Sequence, residues 1–375
     1  MIYADYNATT PILPAVKSAI VASLDTAWAN PSSTYRIGNV AKCAIDKARQ
    51  QVADLIGTAP DSVVFTSGAT EANNTAILSK IATTQNESHV IVSNVEHSSV
   101  LELARTIRKR GVSVSEIQVD SEGFINLAEL EKLIREETVL ISLMWANNET
   151  GVLWPVQEIG AICHKHGVAF HCDAVQAVGK VPFEFSNLSI DYLTVSGHKI
   201  GGPKGVGALI IREGVDFQPM LFGGKQEQGR RGGTESVPLI VGFGEACSFA
   251  NEAGLPTSMQ LSHIRDHFET LILKNIDGSY RNGSITHRLP NTSNLGIKEI
   301  DSDALVTFCD SRGICISSGS ACLESAITPS HVIYAMTRSY ERAEESFRVS
   351  FGYESSVEDA TMIAKVIAEY AQLHR

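Results

Sequence analysis

No stretch of the 375-residue chain approaches the roughly 18 consecutive apolar residues that a membrane-spanning helix needs. A membrane protein of that kind is therefore excluded. The N-terminus, Met1-Ile2-Tyr3-Ala4-Asp5, has no basic stretch and no apolar core, so no secretory signal peptide is expected. The 7 cysteines are scattered and none forms a C-x-x-C pair. That argues against a structural zinc site and against a disulfide framework. Basic residues are outnumbered, 31 Lys and Arg to 42 Asp and Glu, for a net charge of −11. This balance disfavours a strongly basic nucleic-acid binder, and direct nucleic-acid binding is not expected. The G-x-x-x-x-G-K-[ST] phosphate loop is absent, and no G-x-G-x-x-G follows a strand, which disfavours P-loop and dinucleotide enzymes. With 43% hydrophobic and 19% charged residues the chain reads as globular. A reduced, cytoplasmic enzyme without a metal is the expectation.

At about 150 residues per domain, the length suggests two or three domains. Short apolar runs read as strands at Ser62–Thr66, His89–Ser93, Val112–Ile117, Val139–Met144, Val168–Cys172, Tyr192–Val195 and Val206–Ile211. Helical segments lie between several of them: Glu71–Thr83, Val100–Arg110, Leu127–Arg135 and Val156–His166. Strands alternating with helices predict an α/β fold whose mostly parallel sheet is covered on both faces. The tail differs, with helical stretches at Ser258–Leu273 and Ser356–His374 around mixed short segments. We divide the chain into an N-terminal segment, 1–14, packing with the small domain; a large domain, 15–250; and a smaller α+β C-terminal domain, 251–375.

The run Ser196-Gly197-His198-Lys199-Ile200-Gly201-Gly202 puts a lysine in a glycine-rich loop after a strand. A lone lysine in a loop is ordinarily a solvated surface charge. Upstream, however, Phe170-His171-Cys172-Asp173 puts an aspartate at the end of a buried strand. In open α/β sheets ligands bind at the carboxyl ends of strands. A lysine and an aspartate there match pyridoxal phosphate: the amine forms the Schiff base and the carboxylate keeps the ring nitrogen protonated. The phosphate needs a cradle, and Phe65-Thr66-Ser67-Gly68-Ala69-Thr70-Glu71 runs strand, glycine turn, helix start. Unpaired N–H groups and the helix dipole favour an anion at such a start.

With these blocks in view, the chain resembles the cysteine desulfurases of the NifS/IscS type, group I, within the class V aminotransferase group of fold-type I pyridoxal-phosphate enzymes. The resemblance spans almost the whole chain. It rests on Tyr6-Asn7-Ala8-Thr9-Thr10-Pro11, Asn30-Pro31-Ser32-Ser33, Thr66-Ser67-Gly68-Ala69-Thr70-Glu71, Glu96-His97 and Asn147-Asn148-Glu149-Thr150-Gly151. It continues through His171-Cys172-Asp173-Ala174-Val175-Gln176, Ser196-Gly197-His198-Lys199, Gly229-Arg230-Arg231-Gly232-Gly233-Thr234 and Ser317-Ser318-Gly319-Ser320-Ala321-Cys322. The resemblance implies a seven-stranded, mostly parallel sheet. It implies that Lys199 holds the cofactor and moves a proton, that Asp173 pairs with the ring nitrogen, and that Gln176 bonds the phenolic oxygen. His97 would stack on the ring. Ala69, Thr70, Ser196 and His198 would hold the phosphate, and Thr234 would reach the phosphate of a neighbouring subunit in a homodimer. Asn148 and Arg348 would fix the substrate, a guanidinium suiting a carboxylate because its fork bonds both oxygens.

Cys322 follows a run of small residues with little power to form a core, which suits an accessible thiol on a mobile loop. Cys43, Cys163, Cys172, Cys247, Cys309 and Cys315 read as packing residues. The implied reaction takes sulfur from L-cysteine, leaving L-alanine and a persulfide on Cys322 that passes to an acceptor protein, for iron–sulfur cluster assembly or another thiolated product. A selenocysteine lyase or another class V enzyme is the alternative, and Cys322 with its loop argues against it.

Overall fold

The computed structural model describes residues 1–84, 87–318 and 329–374. The first strand, β1 (Ile2–Tyr3), precedes a seven-stranded sheet. That sheet comprises β2 (Val63–Thr66), β3 (His89–Ser93), β4 (Ser113–Ile117), β5 (Thr138–Met144), β6 (Ala169–Asp173), β7 (Tyr192–Ser196) and β8 (Gly207–Ile211). Its order is β2-β8-β7-β6-β5-β3-β4. Pairs from β7 to β4 are parallel, while β8 runs antiparallel to both neighbours. Six of these strands, all but β4, are buried almost throughout, as strands covered on both faces must be. The apolar runs read as strands coincide with β2 to β8 to within a residue at each end. One covering core holds Phe65, Ile141, Leu143, Phe170, Leu193 and Phe243. The other holds Val64, Ile77, Val90, Leu103, Leu140 and Leu209.

A second core lies in the C-terminal part: Phe268, Ile272, Leu295, Leu305, Phe347, Val349, Ile363 and Ile367. It surrounds a four-stranded antiparallel sheet of β9 (Ser279–Arg281), β10 (Thr292–Ile297), β12 (Ser317–Ser318) and β13 (Ser346–Ser350), with β11 (Ile314–Cys315) preceding β12. The segment β1 pairs in parallel with β11 through Ile2 with Ile314 and Tyr3 with Cys315. Asp5 then bridges to Ser350, and Thr10 N and Oγ1 both donate to the carbonyl of His198. The N-terminal segment thus ties the small sheet to the Lys199 loop.

Helices Pro14–Thr26 and Arg36–Ile56 lie before β2. The second buries Ala41, Ile45, Ala48, Val52 and Ile56, a three-and-four spacing that makes one packing face. Helical residues span Val237–Asn275 across the 250/251 division, as two helices that meet at a kink at Gly254, whose φ of 26° and ψ of −130° are not helical. Of the residues read as 251–375, Val332, Ile333, Ala335, Met336 and Ala343 pack into the large-sheet core. Among the described residues no helix is long and apolar enough to cross a membrane.

Candidate active site

Strand direction assembles the site. β7, β6, β5 and β3 are parallel, and β2 shares their direction because it and β7 both run against β8. Their carboxyl ends therefore meet at one edge. Thr66 leads to Ala69 and Thr70, Ser93 to His97, Met144 to Asn148, Asp173 to Gln176, and Ser196 to His198 and Lys199. These sequence-predicted residues, though not Thr234 or Arg348, thus leave the sheet together, on neighbouring loops.

The phosphate end is built from backbone. Helix Ala69–Ala82 has no side-chain cap, so its first N–H groups remain available to an anion. Gly68, the residue before it, has φ 149°, a conformation that favours glycine. A Cβ added there would meet nothing within 4 Å, so open space lies in front of the turn. Behind it, a Cβ on Gly207 would stand 2.6 Å from Val195 O and 3.0 Å from Gly68 Cα. Only glycine lets β8 approach this turn so closely. Glu71 clamps the helix start: its Oε2 accepts from Ser67 N at 2.8 Å, and its Oε1 accepts from Arg231 Nε at 2.9 Å. Ser196 ends β7 and is buried. His198 Nδ1 meets Thr9 Oγ1 at 3.1 Å. Burial, with the charges of Lys199 and Lys204, pushes its pKa down to about 4, so the ring is neutral.

At the other end lies Asp173. Its Oδ2 accepts from Asn73 Nδ2 at 2.7 Å and its Oδ1 from the Val175 N–H at 3.1 Å. Each carboxylate oxygen accepts two hydrogen bonds, so capacity remains for a protonated ring nitrogen. Asn73 spends its second N–H on Ser99 Oγ at 2.9 Å. His97 Nδ1 sits 2.9 Å from Ser99 Oγ and 3.1 Å from the Ser99 backbone nitrogen. An N–H only donates, so Nδ1 is unprotonated and the neutral ring carries its hydrogen on Nε2. Burial holds the His97 pKa below its ordinary value. The charges of Asp173 and Lys199 both act on His97, and all three groups stand at the same edge of the sheet.

Lys199 Nζ donates to the carbonyls of Asn7 at 2.6 Å and Ala8 at 2.7 Å. Gln176 Nε2 donates to the same Asn7 carbonyl at 2.9 Å. Arg348, on β13, is buried; its Nη1 donates to Asn148 O at 3.0 Å and its Nη2 to Asp5 Oδ1 at 2.6 Å. Arg348 Nε is buried without a hydrogen-bond partner among the described residues. Thr234 is exposed and lines a cavity of about 150 Å³ with Thr66, Ser67 and Arg231.

Cys322 lies outside the described residues. Cys163, Cys172, Cys247 and Cys309 are buried and Cys315 is half-buried. Burial pushes the thiols of Cys163 and Cys309 up to about 12 and those of Cys172 and Cys247 further still, so none of these four is a ready thiolate. Cys43, read as a packing residue, is instead exposed; helix Arg36–Ile56 buries its neighbours Ala41 and Ile45 and turns residue 43 outward.

Sequence reasoning gives no role to Asn7, Asn73, Ser99, Glu96 or Lys180. Glu96 is wholly buried. Its Oε1 accepts from Ser93 Oγ at 2.6 Å and Met144 N at 3.1 Å, and its Oε2 has no partner among the described residues. Burial, reinforced by the charge of Asp173, raises its pKa to about 8, so it holds a proton at neutral pH. Asn7 and Glu96 stand inside the quoted blocks, but partners of theirs come from other strands.

An uncapped helix start, an amine, a carboxylate with spare acceptor capacity and a neutral histidine fit pyridoxal 5′-phosphate. Fold and site together define a fold-type I, pyridoxal-phosphate-dependent α/β enzyme. The sequence model of the Aminotransferase class-V family matches residues 2–363, and the chain belongs to that family. It is 43% identical over 350 residues to a cysteine desulfurase of Nostoc sp. (strain PCC 7120 / SAG 25.82 / UTEX 2576), covering 93% of this chain and 88% of the relative. A solved NifS-like protein superposes with a TM-score of 0.93 at 33% identity, covering 99% of both chains. Another solved structure, described as SspA in complex with cysteine, superposes with a TM-score of 0.83 at 34% identity, covering 94% of this chain and 99% of that one.

Proposed function

We propose that the chain is a cysteine desulfurase that takes sulfur from L-cysteine, releases L-alanine and carries the sulfur as a persulfide on Cys322. The observation that carries the reading is the convergence of the Lys199 amine, the Asp173 carboxylate and the neutral His97 on one sheet edge. The similarity to a protein described as in complex with cysteine supports the substrate.

Bound pyridoxal phosphate supplies an electron sink, through a ring nitrogen kept protonated by a carboxylate. Asp173 is the carboxylate and Gln176 faces the phenolic oxygen. Ala69, Thr70, Ser196 and His198 hold the phosphate. Asn148 and Arg348 bind the substrate carboxylate, for which the guanidinium fork is suited. Lys199 Nζ takes the proton from the substrate Cα. Cys322, as thiolate, attacks the substrate sulfur: an S–S bond forms, the C–S bond breaks and its electron pair stays with the carbon fragment. L-cysteine and one thiol thus become L-alanine and one persulfide, with no external oxidant or reductant.

The sulfur then passes to a thiol of an acceptor protein, serving iron–sulfur cluster assembly or thiolation of another product. The working form is a homodimer in which Thr234 serves the partner's phosphate. Trp28, Val21, Leu24, Tyr35 and Phe222 stand exposed, as apolar side chains awaiting a partner surface do. The six described cysteines are free thiols, which suits a reducing cytoplasm.

The test is alanine production from L-cysteine by the holoenzyme and by Lys199→Ala. The wild type is expected to turn over, and the variant to lose turnover together with its bound-cofactor absorbance. A Lys199→Ala protein with near-normal turnover contradicts the assignment.

A further inference from the structure

Lys180 is a buried cation that the reaction above leaves without a task. It follows Gln176 by four residues, at the end of the turn 175–180 that leaves β6. Its Nζ donates to Gln176 Oε1 at 2.8 Å and to Asn7 Oδ1 at 3.3 Å. The charges acting on it are those of Lys199 and Arg348, both positive, and with burial they pull its pKa down to about 7. An ammonium held here against two other cations is costly. Its oxygen partners are amide oxygens, and both belong to residues that touch the Lys199 amine's surroundings.

A carboxamide can be inverted, exchanging O for NH2 with almost no change in shape. At Gln176 inversion would set NH2 against the Lys180 donor and Oε1 against the Asn7 carbonyl. Both contacts would be repulsive. With Oε1 on Lys180, Nε2 spends one hydrogen on Asn7 O at 2.9 Å. Its second hydrogen remains for the cofactor. Asn7 is the other half of the device. Its carbonyl accepts from Gln176 and Lys199, its Oδ1 accepts from Lys180 and from Asn291 Nδ2 at 3.1 Å, and its Nδ2 donates to Asn148 O at 3.0 Å and Thr292 Oγ1 at 2.9 Å.

We propose that Lys180 is a positioning residue: by donating to Gln176 Oε1 and Asn7 Oδ1 it locks the Gln176 carboxamide with an N–H facing the cofactor's phenolic oxygen. The inference rests on the reading of this edge as the pyridoxal-phosphate site. It predicts that the donor, not the charge, is what matters. Lys180→Gln keeps a donor and loses the charge. Lys180→Met loses both.

The experiment measures retention of pyridoxal 5′-phosphate on dialysis and the pH midpoint of the bound cofactor's visible band. It uses holoenzymes of the wild type, Lys180→Gln, Lys180→Met, Gln176→Leu and the Lys180→Met/Gln176→Leu double variant. Lys180→Met is expected to weaken retention about tenfold, the cost of one lost buried hydrogen bond, and to move the midpoint. Lys180→Gln stays close to the wild type. The double variant is no worse than Gln176→Leu alone, because Lys180 acts through that side chain. Equal shifts in Lys180→Gln and Lys180→Met would show a charge effect and overturn the proposal, as would additive losses in the double variant. If Lys180→Met does not fold, the Lys180→Gln protein decides: a shift there as large as in Gln176→Leu overturns it. A wild type that retains no cofactor would instead overturn the reading of the site.

Discussion

Two wholly buried groups, Glu96 and His171, titrate in opposite senses here. Glu96 has its pKa raised to about 8 by burial, so the folded state binds a proton that the unfolded chain releases above the ordinary carboxyl value. Stability from this group is present below about pH 4.5 and is lost as pH rises toward about 8, at about 1.4 kcal/mol per pH unit. Glu96→Gln replaces the protonated acid by a neutral group of the same shape. Urea unfolding at a series of pH values is expected to show wild type and variant within about 1 kcal/mol of each other near pH 4.5, with the variant pulling ahead steadily from there to about pH 8. A parallel pair of curves would contradict the buried, protonated Glu96. His171 works the other way. It is wholly buried between Ser142 Oγ at 2.8 Å and Thr194 Oγ1 at 3.0 Å, and its pKa falls to about 3. The unfolded chain therefore binds the extra proton, and stability falls as pH drops below about 6.5 toward about 3.

Strand β8 and the turn at Gly68 form one unit, since Gly207 lets the strand lie against the phosphate turn. Gly207→Ala forces a Cβ to within 2.6 Å of Val195 O, and backbone cannot yield cheaply. Overpacking of this kind costs about 1–3 kcal/mol. Cofactor content per chain is expected to fall about tenfold while the far-ultraviolet spectrum of the fold is kept; full cofactor content would contradict the cradle. The large-sheet strands were legible because each is an apolar run, and the candidate site residues could be singled out because most of them stand just after the ends of those runs. The small sheet was not. β10 reads Thr292-Ser293-Asn294, polar like a loop, yet it is buried. Thr292 receives Asn7 Nδ2 at 2.9 Å and Asn294 receives Asn282 Nδ2 at 2.8 Å, partners no local pattern announces. In Val237–Asn275 the break around residue 254 was legible, since two helices meet at a kink at Gly254, but their near-continuity was not. Asn7 and Lys180 were illegible for the same reason as β10, since Lys180 finds Asn7 173 positions away.

For the whole molecule, the reading requires two chains per functional unit. Mixing Lys199→Ala chains with Thr234→Ala chains puts both lesions in one site of each heterodimer and leaves the other intact. Activity above either parent is expected, and a monomer in sedimentation would contradict the shared site. The central claim is that the lysine edge and Cys322 act on one substrate sulfur. The direct measurement is persulfide mapping by mass spectrometry after the holoenzyme meets L-cysteine, with alanine quantified in the same sample, for wild type and Cys322→Ser. The account predicts a persulfide on Cys322 with matching alanine in the wild type. In the variant it predicts retained cofactor, no persulfide at position 322 and little alanine, because a hydroxyl stays protonated near neutral pH and is a poor nucleophile toward sulfur. A Cys322→Ser protein that makes alanine from cysteine as fast as the wild type would contradict it.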